Sequence, residues 1–110
     1  MAYVPEQGDI VFIEFNPQAG HEQKGKRPSL VVSNYTFNKF TKLAMLCPIT
    51  STNKNFPLHI RLDERTNTSG SIMCEQVKSL DINARGVYFL EKAPEDIIEE
   101  VKDILSGFIE

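Results

Sequence analysis

Tryptophan is absent from these 110 residues, and cysteine and histidine occur twice each. Two cysteines cannot build the disulfide framework of a small secreted domain. Cys47 and Cys74 lie in apolar runs, far apart in the chain and outside any CxxC spacing, so both read as buried, reduced thiols. Histidines, cysteines and carboxylates nowhere cluster at ligand spacing, which predicts no resident metal and no cofactor. No apolar run nears the length of a membrane span, and the first residues hold no apolar stretch flanked by basic ones. The expectation is a cytoplasmic protein with no membrane partner. The excess of one charge sign is small as well, the formal net charge being −3. That sum hides a split. Residues 91–110 carry seven acidic and two basic side chains, leaving residues 1–90 with eight acidic and ten basic.

What is present suits one domain over residues 1–110, with 41% hydrophobic and 25% charged residues. The densest chemistry is Gly20-His21-Glu22-Gln23-Lys24-Gly25-Lys26-Arg27-Pro28, which holds three cations, a carboxylate and an imidazole. It separates two apolar runs, residues 8–15 and 29–33, that read as strands bounded by turn formers. Pro28 sets φ where the second strand is expected to begin, and Arg27 should project from that entrance. Asn34 then caps a predicted helical turn whose Phe37 and Phe40 would lid the core. Residues 43–49 read as a strand buried on both faces. In Leu58-His59-Ile60-Arg61-Leu62 the alternation turns leucine and isoleucine inward and His59 and Arg61 outward. Residues 71–80 read as one strand, 81–86 as a turn or a single helical turn ending on glycine, and 87–90 as a last short strand. Pro94 opens a helix as its first residue, with Ile97, Ile98, Val101, Ile104, Leu105 and Phe108 on one face. The sum is six strands and a helix: a small, mostly antiparallel β-barrel closed by a C-terminal helix.

Ala19-Gly20-His21-Glu22-Gln23 followed by Arg27-Pro28 resembles the first signature of the PemK/Kid/MazF family of ribonuclease toxins. Further pieces resemble the family in order: Gly8-Asp9-Ile10, Phe37-Asn38, Pro48-Ile49-Thr50-Ser51, Asn55-Phe56, residues 74–80, Ala84-Arg85-Gly86 and Pro94-Glu95. The resemblance implies an SH3-like barrel, a homodimer, sequence-selective cleavage of single-stranded RNA, and a cognate antitoxin whose disordered segment folds into the groove. Lys24, Lys26, Arg27, Lys39, Lys42 and Lys54 give the first half a modest positive field, compatible with a short single-stranded RNA.

The family's most widely shared pair falls on Arg27 and Thr50. Arginine is always charged and presents a planar fork of donors, so Arg27 suits stabilisation of a phosphorane and is a poor base. Thr50 would donate its hydroxyl to the same oxyanion, helped by Ser51. The proton acceptor stays open between Glu22 and Glu75. Glu75 matches the acidic residue of the Kid branch, but Met73 stands where that branch has its arginine. His21 matches that branch's histidine and could assist. His59 has no counterpart and reads as a surface residue. Gln23, Lys24, Ser51, Asn55, Phe56 and Gln76 are expected to contact RNA, with core packing the alternative for Phe56. The competing reading is a non-catalytic barrel of the same class that acts by binding protein. A peptide-binding SH3-like module would need an aromatic groove, and Tyr3, Tyr35 and Tyr88 are scattered.

Overall fold

The structure, a computed structural model, describes residues 3–15, 25–52 and 55–110. Its strands are β1 (Asp9–Glu14), β2 (Lys26–Val31), β3 (Leu43–Thr50), β4 (His59–Arg61), β5 (Ser71–Met73), β6 (Lys78–Asp81) and β7 (Val87–Lys92). Helices α1 (Tyr35–Thr41), α2 (Ile82–Arg85) and α3 (Glu95–Gly107) and a 3-10 turn, Cys74–Gln76, complete it. Every pairing is antiparallel, in the order β4-β5-β3-β2-β1-β7, with β6 also on β3. This is the expected antiparallel β architecture with its C-terminal helix.

Four details differ from expectation. Residues 71–80 are two strands, so the described residues hold seven strands rather than six. Strand β3 pairs with β6 over residues 43–46 and with β5 at 49–50, and the 3-10 turn lies opposite the gap. Pro48 falls in that gap, where its missing N–H leaves no ladder bond unmade. Strand β2 begins at Lys26 rather than at 29, because β1 pairs with it as far as Glu14↔Lys26. Arg27 is therefore a strand residue, not a loop residue. On α1, Phe40 is 80% exposed and Phe37 also faces solvent, so neither lids the core. The fully buried residue there is Asn38, whose amide donates to the carbonyls of Pro5 (2.9 Å) and Ser33 (3.3 Å). Pro94 is the cap before α3 rather than its first residue, and Phe108 lies past the helix end, half exposed.

Two apolar clusters sit on opposite sides of the sheet. One gathers Leu30, Cys47, Ile49, Ile60, Leu62 and Ile72 under Ile97, Ile98 and Val101 of α3. The other gathers Val11, Ile13, Phe15, Val31, Ala44, Leu46, Leu80 and Ile82. Alternation along the strands divides the residues between them, so β2 and β3 are buried on both faces. Cys47 and Cys74, distant in the chain, meet in the first cluster as free thiols. Their mutual hydrogen bond, with burial, pushes the Cys47 thiol upward.

Candidate active site

Strand register builds the site. The β2–β3 ladder runs from Val31↔Leu46 to Ser29↔Pro48 and stops there, since Pro28 has no N–H to carry it further. Continuing the register by two residues sets Arg27 across from Thr50. Residues two apart on a strand share a face, and paired residues share it across the ladder. Arg27 and Ser29 therefore lie on the face of Pro48 and Thr50. Thr50 pairs in turn with Ser71 on β5, and Ser71 with Arg61 on β4. One row across four strands thus holds two guanidinium groups and two hydroxyls. At the β4–β5 end of that row a groove of about 280 Å³ opens, lined by Arg61 and Ser71 of the row together with Ser51, Thr52, Leu62, Ser69 and Gly70.

Thr50 is 9% exposed, and its Oγ1 accepts the Thr52 N–H at 3.1 Å. Accepting there leaves the hydroxyl proton to be donated. Gly70 holds a backbone φ of +121°, and an added Cβ would run into the Thr50 carbonyl oxygen. The turn carrying Gly70 is braced from two sides. The Glu91 carboxylate accepts the N–H groups of Asn67 (3.0 Å) and Thr68 (2.7 Å) and the Thr68 hydroxyl (2.7 Å). Burial pushes that carboxyl up, but the three hydrogen bonds outweigh it and hold it below its ordinary value. Arg65 bridges Asp63 and Asp96, both at 2.8 Å, tying the turn to the start of α3.

The next row along the same face carries Met73 paired with His59. His59 is not the surface residue its alternation predicts. Its side chain is 8% exposed, and Nε2 lies 3.0 Å from Glu75 Oε2. The Phe56 ring meets the imidazole edge-on at 5.0 Å and 70°. A turn explains that contact, because the Phe56 carbonyl accepts the His59 N–H at 2.9 Å with Pro57 between them. Phe56 is otherwise exposed, which removes the core-packing alternative.

The expected site residues are thus partly gathered. Arg27, Thr50 and Ser51 border one face, with Glu75 at its end through His59. Gln76 follows Glu75 in the 3-10 turn, and Asn55 is exposed beside Phe56. His21, Glu22, Gln23 and Lys24 lie outside the described residues, as does Lys54. Arg61, Ser71 and the buried face of His59 escape a reading of the sequence. The period-2 pattern sorts them onto the face away from α3, but it does not say that this face is also lined. Among the described residues no cluster of three or more metal-ligating side chains occurs.

The fold and this face define a small antiparallel β-barrel with a row of arginine and hydroxyl groups across four strands, one end of which borders an open groove. The chain belongs to the family of PemK-like, MazF-like toxins of type II toxin–antitoxin systems, whose model matches residues 6–109. The endoribonuclease PemK of Escherichia coli is 40% identical over 109 residues, covering 94% of this chain and 81% of that protein. The endoribonuclease toxin MazF of E. coli K12 is 36% identical over 84 residues, covering 76% of this chain and 75% of that one. Among solved structures, MazF from Deinococcus radiodurans superposes with a TM-score of 0.94 at 39% identity, covering 98% of both chains. A MazE–MazF structure from the same organism superposes at 0.87 and 36% identity, covering 97% of both.

Proposed function

We propose that this chain, acting as one domain, is the endoribonuclease toxin of a type II toxin–antitoxin pair and cleaves single-stranded RNA in the cytoplasm. In this reading the 2′-OH next to the scissile bond attacks phosphorus, giving a 2′,3′-cyclic phosphate and a 5′-OH. That route needs no metal; it needs a proton acceptor, a proton donor and groups aimed at the phosphorane. The Arg27 fork grips two phosphoryl oxygens, and the Thr50 hydroxyl donates to one of them. Glu75 or Glu22 takes the 2′-OH proton, with His21 assisting. Gln23, Lys24, Ser51, Asn55, Phe56 and Gln76 hold the flanking nucleotides, and Arg61 adds a second cation along the strand. What supports the reading is the β2–β3 register, which, continued past its last pair at Ser29↔Pro48, sets Arg27 opposite Thr50 on one face. Family membership supports a cognate antitoxin, as does the similarity to a MazF solved with MazE, and the working unit is a homodimer.

The test is incubation of the purified protein with a long RNA in EDTA, followed by mapping of the fragment ends. Cleavage should persist, give 5′-OH ends and vanish in Arg27→Ala. Arg27→Lys should bind RNA but lose most turnover, since a point charge does not reproduce the fork. Intact RNA from a correctly folded protein would leave the non-catalytic, protein-binding barrel as the answer.

A further inference from the structure

A solvent-facing histidine keeps both ring nitrogens wet. His59 keeps neither. Its Nε2 is committed to Glu75 at 3.0 Å, and its buried Nδ1 has no hydrogen-bond partner among the described residues. A carboxylate can only accept, so the ring must present Nε2–H to Oε2, which leaves Nδ1 as a bare lone pair. That choice of tautomer buries a lone acceptor rather than a charged ring with an unmet N–H, the less costly of the two. Leaving any polar atom orphaned still costs stability, and nothing in the packing of β4 asks for an imidazole. Its ring is nevertheless held on two sides, by the Phe56 ring set edge-on against it and by the carboxylate.

The partner has more to gain. Glu75 stands in a short 3-10 turn with its side chain 28% exposed, and a glutamate there with no partner would sample several rotamers. We propose that His59 is a positioning residue for RNA cleavage: its Nε2–H fixes Oε2 of Glu75, so that the second carboxylate oxygen takes the 2′-OH proton. This rests on the endoribonuclease reading above and selects Glu75 over Glu22 as the proton acceptor. His59 itself exchanges no proton with the substrate, because Nε2–H stays on the carboxylate and Nδ1 is sealed from the groove. The proton lost by the 2′-OH resides on Glu75 as the O–P bond forms. The 5′-oxygen leaves with a proton from another donor on the face.

The experiment is steady-state cleavage of a short single-stranded RNA by wild type, His59→Ala, His59→Gln, Glu75→Gln and the His59→Ala/Glu75→Gln double variant. Thermal midpoints are recorded alongside to show that each is folded. His59→Ala should lower kcat by about 10²-fold with KM little changed, the loss expected when a reacting group is misplaced by roughly 1 Å. His59→Gln should recover most of that loss, because its amide N–H can reach Oε2. The double variant should be no slower than Glu75→Gln alone, since the histidine acts only through the glutamate. Wild-type kcat in His59→Ala, a His59→Gln as slow as His59→Ala, or losses that multiply in the double variant would each overturn the proposal. Wild-type protein that leaves RNA intact would remove the parent reading and this one with it. Wild-type cleavage with an unaffected His59→Ala removes this one alone.

Discussion

Ser29 shows how closely the site is built onto the core. It is fully buried between Val11 of β1 and Pro48 of β3, and its Oγ has no hydrogen-bond partner among the described residues. A dry, unpaired hydroxyl costs about 1–3 kcal/mol, so Ser29→Ala should raise stability by about 1 kcal/mol in urea unfolding. An unchanged or lowered midpoint would mean that the hydroxyl has a partner after all. Arg27 sits one position along the same face; the roles proposed for it and for Thr50 were suggested by the resemblance to the family and, for Arg27, by the chemistry of guanidinium. Arg61 and His59 were not legible, because alternation on β4 labels both as outward. Outward from α3 proves to be toward the groove for Arg61 and toward Glu75 for His59, a distinction that a period of two cannot make.

At the scale of elements, prolines and one glycine decide where the site opens. Pro28 ends the β2–β3 ladder beside Arg27, and Pro48 meets the break between β5 and β6. In the sequence these residues read as strand punctuation, but which edge each one faces depends on partners far along the chain. The split of residues 71–80 was illegible for that reason, since nothing local interrupts the run. Gly70 matters more than its turn-like surroundings suggest. Its positive φ and its approach to the Thr50 carbonyl leave no room for a side chain. Gly70→Ala should cost about 2 kcal/mol or more and shift Thr50, so thermal midpoint and RNA cleavage fall together. Full activity in a stable Gly70→Ala would separate the turn from the site.

Over the whole molecule, charge contacts clamp the groove wall to the helix side. Hydrogen bonds from Arg65 hold the Asp63 and Asp96 carboxyls below the usual carboxylate range. Carboxyls depressed in the folded state contribute stability above their unfolded pKa, near 4, and lose it as pH falls through the folded value. Arg65→Ala should therefore be less stable than wild type at pH 7, and the gap should close as pH falls below about 4. All of these groups are exposed, so the gap will be small and should shrink further in high salt. A gap that widens on acidification would reverse the assignment.

From residue types and their spacing came the antiparallel β class, the amphipathic closing helix and the buried thiols, while the arginine–threonine pair was proposed from the resemblance to the toxin family. Each is a local property, carried by period, by turn formers or by a signature within a few residues. Only the folded chain decided which strands adjoin, that Cys47 and Cys74 touch, and that His59 turns into the protein to meet Glu75. Those outcomes depend on register between segments far apart in the chain. Shifting a strand by one residue exchanges its two faces, and no short window of sequence records which face meets which partner.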